Sequence, residues 1–217
     1  PETLPEVIAA AVRISKTPTQ GPVVIVLPED MLDDEVEAKL EPQQQVIVPA
    51  PVQDDVAQVA ELIANSIRPL VIVGGDTVGL KPELVAMAES WGVSVVPSFK
   101  HQDLFPNDHA NFGGYLGYNI PRPQVDIMLE ADLIIALGTR LGDATTQGYV
   151  LPQAPEPAQP LVHIYPDAYV PGKVYETELG LICRSNEFVQ ALGVHTVPAP
   201  PAGRKEWIKR LNSHAKK

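Results

Sequence analysis

The chain has 217 residues, of which 20% are charged, and its formal net charge is −11. This excess of acid disfavours a nucleic-acid partner or an anionic membrane surface, because both bind basic faces. The one cysteine, Cys183, excludes a disulfide framework and a zinc cluster, and its apolar neighbours indicate a core position. No apolar run is long enough to cross a membrane, so we expect a cytoplasmic protein.

The first 51 residues contain too few regular elements for a domain. Thr3 and Glu6 have the spacing of a capping box, and the residues after them predict a helix. A buried strand is predicted over 23–27. We therefore expect residues 1–30 to be the last helix and strand of a preceding domain, followed by an interdomain linker over 31–51 that is acidic and then rich in glutamine and proline.

Short apolar strands alternate with helices between residues 52 and 193. One helix is predicted to have Asp54 or Asp55 at its cap, and another is predicted to be capped by Ser185. Continuously apolar strands that alternate with helices are typical of a parallel sheet covered on both faces. The pattern predicts an α/β, Rossmann-like doubly wound domain over 52–193. Its strands are predicted over 70–73, 93–96, 133–137, 161–164 and 179–182, and its later helices over 82–91, 125–131 and 185–192.

Residues 194–217 are predicted to be a proline-rich linker and then a basic helix, which either docks on another domain or frays. Without neighbouring domains, we expect exposed apolar surface around Ile8, Val12 and Trp207.

Ligands of such sheets bind at the carboxyl ends of the strands, so the residues that follow each strand are candidates. The glycine-rich run at 74–79 could bring backbone N–H groups to a phosphate, or it could be a tight turn without a ligand. Its spacing is not that of the dinucleotide fingerprint G-x-G-x-x-G. His101, in the polar loop after the second strand, is either a ligand or base or a solvated side chain.

The later loops offer groups that suit a nucleotide. Glycines and tyrosines over 111–118 allow close approach and stacking. Arg140 suits a pyrophosphate or pairs with Asp143 at the surface, and Asp167 suits a ribose hydroxyl or caps its own turn. No catalytic or metal-binding constellation is found. The candidate cofactor-binding residues are Gly74, Gly75, Asp76, Ser98, Phe99, Leu116, Gly117, Gly138, Arg140, Asp143, Thr145 and Asp167.

Six segments in order resemble the thiamine-diphosphate-dependent enzymes of the acetolactate synthase and pyruvate-decarboxylase-like superfamily. They are GPVVIVLPED (21–30), RPLVIVGGD (68–76), LFPNDH (104–109), GYLGY (114–118), EADLIIALGTRLGD (130–143) and LVHIYPDAYVPGKV (161–174). The resemblance implies the central one of three domains, of the DHS-like NAD/FAD-binding type, with the end of the pyrimidine-binding domain before it and a connection to the diphosphate-binding domain after it.

The resemblance also implies a function for the full-length parent. That function is 2-oxo acid decarboxylation and carboligation with thiamine diphosphate and Mg²⁺, in a homodimer or homotetramer. The groups that bind this cofactor would lie in the other domains, so we expect the isolated fragment to be inactive. In some members the central domain binds FAD or ADP. Asp76 and Tyr165 depart from the family pattern at this site, whereas Arg140, Asp143 and Asp167 match it. The alternative is a freestanding Rossmann-type nucleotide-binding enzyme, in which the opening helix and strand would have no place.

Overall fold

The computed structural model describes residues 1–37, 39, 42 and 45–215. It divides the chain into two compact units, Pro1–Val48 and Pro49–Lys217. Parts of two predicted segments lie outside the described residues. These are positions 38, 40, 41, 43 and 44 of the predicted linker and positions 216 and 217 of the predicted C-terminal helix.

The first unit contains helix α1 (Leu4–Lys16) and a 3₁₀ turn at Glu29–Met31. The predicted helix is confirmed, although Thr3 makes no side-chain capping hydrogen bond. No residue of α1 is buried, and Ile8 and Val12 are 46% and 39% exposed. The predicted strand over 23–27 is wrong. A strand needs a neighbour to pair with, and these residues pair with no other described segment.

The second unit is built around a five-stranded sheet in the order β2-β1-β3-β4-β5, and every pairing is parallel. This confirms the predicted α/β, Rossmann-like doubly wound fold. Each predicted strand lies within one residue of an observed strand, whereas α4 starts three residues before its prediction. The elements are α2 (Gln53–Asn65), β1 (Pro69–Val73), α3 (Lys81–Trp91), β2 (Ser94–Pro97), α4 (Arg122–Leu129), β3 (Leu133–Leu137), β4 (Leu161–Ile164), β5 (Leu179–Leu181), α5 (Ser185–Gly193) and α6 (Arg204–Ala215).

Side chains on the two faces of the sheet belong to two separate apolar clusters. Val71 and Val73 of β1 join the cluster that α2, α3 and α5 complete, whereas Leu70 and Ile72 join the cluster of α4 and α6. Successive residues of a strand point to opposite faces, so one continuously apolar strand supplies both clusters. Cys183 is fully buried in the first cluster, and burial with the nearby carboxylates raises its pKa to about 12.

The two edges of the sheet differ. Val95 of β2 accepts a hydrogen bond from the Gly113 N–H and donates one to the Asn111 carbonyl, each 2.9 Å long, so segment 111–113 covers that edge. The opposite edge is β5, which has three residues and an exposed Gly180.

Helix α6 packs on the second unit itself, which corrects two predictions. Trp207 and Leu211 are 4% and 0% exposed in the cluster shared with α4, so Trp207 does not form exposed apolar surface. Arg204 is 2% exposed, and its guanidinium donates to carbonyls at the ends of α2 and α3. A cation at helix C-termini complements the helix dipole. The prediction that α6 docks on another domain or frays is therefore wrong.

Candidate functional site

The carboxyl ends of β1 and β3 lie side by side at the point where the strand order reverses. Such a switch point is where α/β sheets leave room for ligands. The Gly74 N–H donates to the Leu137 carbonyl at 3.0 Å, and the Asp76 N–H donates to the Gly138 carbonyl at 3.1 Å. A Cβ atom at Gly74 would lie 2.6 Å from the Gly138 oxygen. Only glycine fits there, and the two predicted loops meet through their backbones.

The Asp76 carboxylate points at the start of α5. Its Oδ2 accepts hydrogen bonds from the Ser185 N–H at 2.7 Å and the Ser185 hydroxyl at 2.9 Å. Its Oδ1 lies 3.7 Å from a guanidinium nitrogen of Arg184. Ser185 was predicted to cap α5, but it is the first residue of the helix and makes no cap itself. The capping carboxylate comes from Asp76, far away in the sequence.

The His101 ring lies against Gly75 in the same region. A Cβ at Gly75 would be 3.1 Å from His101 Nε2. The other ring nitrogen, Nδ1, is 2.9 Å from the Phe99 carbonyl and 3.3 Å from the Ser98 hydroxyl. A carbonyl only accepts, so Nδ1 carries a proton in this contact. The structure thus holds the His101 ring in one orientation beside the glycine turn.

The loops after β2 and β3 are joined by two hydrogen bonds. The Phe99 N–H donates to Thr145 Oγ1 at 3.3 Å, and Gln147 Nε2 donates to the Gly117 carbonyl at 2.7 Å. A Cβ at Gly117 would be 3.1 Å from the Phe99 ring. Leu116 is fully buried, so its side chain belongs to the core and only its backbone is near this surface.

Cationic and aromatic groups lie exposed on the same loops. Arg140 is exposed and makes no hydrogen bond or ion pair with the part of the chain that the structure describes, so its alternative pairing with Asp143 is not formed. Tyr118 is 66% exposed and meets Phe99 edge to face at 4.9 Å between ring centroids. Lys100 Nζ lies 5.5 Å from the Phe99 centroid. These groups suit a ligand with both an anion and a ring.

Backbone strain is concentrated in these two loops. A positive φ is costly for residues other than glycine and persists where the surroundings enforce it, often at functional sites. Every such residue in the described ranges lies after β2 or β3. They are Lys100 (67°), Asn119 (60°), Leu141 (51°), Gln147 (55°) and Tyr149 (65°).

The end of β4 contributes buried groups more than exposed ones. His163 is 1% exposed, and its Nε2 lies 2.9 Å from the Thr139 carbonyl. Burial lowers the pKa of His163. Tyr165 is 9% exposed. Asp167 Oδ1 accepts the Tyr169 N–H at 2.9 Å, which is the turn-capping role given as the alternative to a ribose contact.

Two residues that organise this edge of the sheet were not among the candidate cofactor-binding residues predicted from the sequence. The Ser185 hydroxyl donates a hydrogen bond to the Asp76 carboxylate, and Gln147 Nε2 donates one to the Gly117 carbonyl. The polar character of its loop was the only sequence signal for Gln147. Within residues 1–37, 39, 42 and 45–215, no group of three or more His, Cys, Asp or Glu side chains could hold a metal ion. The helices of that same part of the chain include none long and apolar enough to cross a membrane.

The parallel sheet, its two helical layers and the glycine-rich switch point define an α/β domain of the Rossmann-like, doubly wound class. The family described as thiamine pyrophosphate enzyme, central domain, matches residues 56–192. The chain belongs to this family and contains its central domain.

Relatives agree with this assignment, and a solved structure agrees with the fold. A probable acetolactate synthase large subunit of Methanocaldococcus jannaschii is 28% identical over 97% of this chain and 37% of its own length. A sulfoacetaldehyde acetyltransferase of Rhodobacter capsulatus is 31% identical over 77% of this chain and 29% of its own length. The crystal structure of benzoylformate decarboxylase from Polynucleobacter necessarius is similar in fold, with a TM-score of 0.71 and 23% identity over 93% of this chain and 38% of that one. The chain thus spans well under half the length of these proteins.

Proposed function

We propose that this chain is the central domain of a thiamine-diphosphate- and magnesium-dependent 2-oxo acid decarboxylase or carboligase of the acetolactate synthase type. The match to the family's central domain over residues 56–192 supports this most directly. The names of the relatives, acetolactate synthase and sulfoacetaldehyde acetyltransferase, support the reaction class. In the proposed parent, residues 1–30 end the pyrimidine-binding domain, 31–51 are a linker, and 194–217 lead to the diphosphate-binding domain.

The described residues of this chain offer no site for the metal ion that accompanies thiamine diphosphate. Mg²⁺ needs oxygen ligands grouped around it. No such group of acidic residues is present in the described ranges. We therefore assign no step of the reaction to this chain and expect no turnover of pyruvate by it. Its proposed role is structural, holding the other domains of a cytoplasmic homodimer or homotetramer.

A second proposed function is the binding of ADP or the ADP moiety of FAD at the carboxyl edge of the sheet. Arg140 supports it, because this exposed guanidinium has no partner among the described residues. The strained loops after β2 and β3, with Phe99 and Tyr118 on them, support a site for a ring beside that cation. Asp143 and Thr145 complete the proposed contacts.

The thermal midpoint of the 217-residue chain tests the nucleotide site. A ligand that binds only the folded state raises the midpoint by mass action. ADP or FAD should raise it, and Arg140→Ala should abolish the rise. Lys209→Ala is the control, because it removes an exposed cation from α6 and should leave the rise intact. A midpoint unaffected by ADP and FAD would refute the nucleotide site, and a rise with thiamine diphosphate alone would refute the assignment of that cofactor to other domains.

A further inference from the structure

A side chain of the protein occupies a helix N-terminus at the carboxyl edge of the sheet. In doubly wound sheets a phosphate lies at the switch point, against the N–H groups of a helix N-terminus. Here the switch point lies between β1 and β3, and α5 begins beside it. The Asp76 carboxylate accepts both the backbone N–H and the hydroxyl of Ser185, the first residue of α5.

We propose that Asp76 is an internal anion that replaces a ligand phosphate at the N-terminus of α5 and so determines which ligands the domain accepts. A ligand diphosphate is excluded from the switch point. A nucleotide bound as in the second proposed function then places its diphosphate on the loops after β2 and β3, beside Arg140. Only this last statement rests on the proposed function, since the role of Asp76 follows from its own contacts.

The packing around Asp76 leaves no space for a phosphate. A Cβ atom added to Gly138 would lie 2.6 Å from Ser185 Oγ and 3.0 Å from Asp76 Cβ. Both distances are shorter than ordinary contacts between side chains. The gap between the β3 loop and α5, where a phosphate would have to enter, is therefore already filled by Asp76 and Ser185.

The charges around Asp76 also disfavour the binding of a phosphate. Glu187 lies in the first turn of α5, and its Oε2 is buried without a hydrogen-bond partner in the described part of the chain. Arg184, 3.7 Å from Asp76, is the cation paired with this carboxylate. Two carboxylates at one helix end already complement the helix dipole. A phosphate dianion would add repulsion to a site whose donors are taken.

Anion rescue of Asp76→Ala tests the proposal. The variant should melt below the unsubstituted chain in buffer, and inorganic pyrophosphate should restore part of the difference. At a hundredfold excess over the dissociation constant the midpoint should rise by roughly 5–10 °C. The unsubstituted chain should rise less than Asp76→Ala, and any rise that comes from pyrophosphate bound beside Arg140 should disappear in Arg140→Ala. Asp76→Asn should lose stability without rescue, because its amide still fills the space.

Asp132→Ala is the matched control. This carboxylate also accepts backbone hydrogen bonds, from the N–H groups of Ile67 at 2.9 Å and Arg68 at 2.8 Å, but it lies before the strands and not at a helix N-terminus. Rescue by pyrophosphate that is confined to Asp76→Ala supports the proposal. No rescue of that variant, or equal rescue of both alanine variants, overturns it.

A measurement on the unsubstituted chain decides the matter even where Asp76→Ala does not fold. In an NMR titration with pyrophosphate, the amide signals of Gly74, Asp76 and Ser185 should stay in place. A saturable shift of these signals would overturn the proposal. The thermal shift with ADP and its loss in Arg140→Ala test the proposed nucleotide site separately, so either idea can fail alone.

Discussion

Replacing Arg204 with methionine should detach α6 from the ends of α2 and α3. The guanidinium, 2% exposed, donates to four carbonyls. The acceptors are Ser66 and Trp91, each at 2.9 Å, with Ala64 at 3.1 Å and Ile63 at 2.5 Å. The last carbonyls of a helix have no partner within it, so Arg204 supplies what α2 and α3 lack at those ends.

The expected loss of stability follows from the backbone carbonyls that would be left without a hydrogen-bond donor. Each lost hydrogen bond to a charged donor is worth about 1.5–3 kcal/mol. Methionine keeps an apolar stem in place, and the cost of desolvating the guanidinium disappears. We expect a net loss of about 3 kcal/mol in the free energy of unfolding. For a chain of this size, that lowers the thermal midpoint by roughly 6–12 °C.

Differential scanning calorimetry and urea denaturation followed by circular dichroism measure this loss. Lys205→Met is the matched control, because Lys205 is the exposed next residue of α6 and its replacement should change stability by less than about 0.5 kcal/mol. Arg204→Lys should fall between the two, since one ammonium cannot reach four carbonyls. Equal stability of Arg204→Met and Lys205→Met would refute the reasoning and show that apolar packing alone holds α6.

Two further substitutions test the sheet and its carboxyl edge. Gly74→Ala should destabilise the chain by about 2–3 kcal/mol in urea denaturation, because its Cβ would lie 2.6 Å from the Gly138 backbone oxygen. Gly142→Ala is the control and should be tolerated, because its Cβ would have nothing within 4 Å. Similar losses of stability for both variants would contradict the steric argument. His163 has its pKa lowered by burial, so the unfolded chain binds more protons and stability should fall as the pH drops below about 6.5. His163→Gln should remove that part of the pH dependence, and parallel stability curves from pH 7.5 to 5 would show that His163 is not its source.

The strands were predictable because their signal is local. Each is a continuous apolar run, and a strand covered on both faces requires this at every position. Residues 23–27 have the same kind of sequence but no neighbour to pair with in the described chain, so the same signal failed there. An apolar run shows that a strand is possible, while its pairing depends on the rest of the protein.

The contacts that organise the candidate site could not be predicted from short stretches of sequence. Asp76 and Ser185 are 109 positions apart, and only the fold brings them together. The sequence marked Asp76 as an unusual residue in a glycine turn and Ser185 as a helix cap, without linking them. Arg204 was predicted only as part of a basic helix, because its acceptors are backbone carbonyls, which leave no trace in the sequence. The glycines and Arg140, by contrast, were found because they follow strands directly.

The coverage and length of the two edge strands affect how copies of this chain could associate. Open edges let β-sheets of separate molecules join into one continuous sheet. Segment 111–113 already takes the hydrogen bonds of Val95 on the β2 side, and β5 offers only three residues with a glycine in the middle. Neither edge is a long template for a further strand. Assembly of the homodimer or homotetramer proposed above would therefore rely on helices and loops, and the sheet would keep its five strands in every copy.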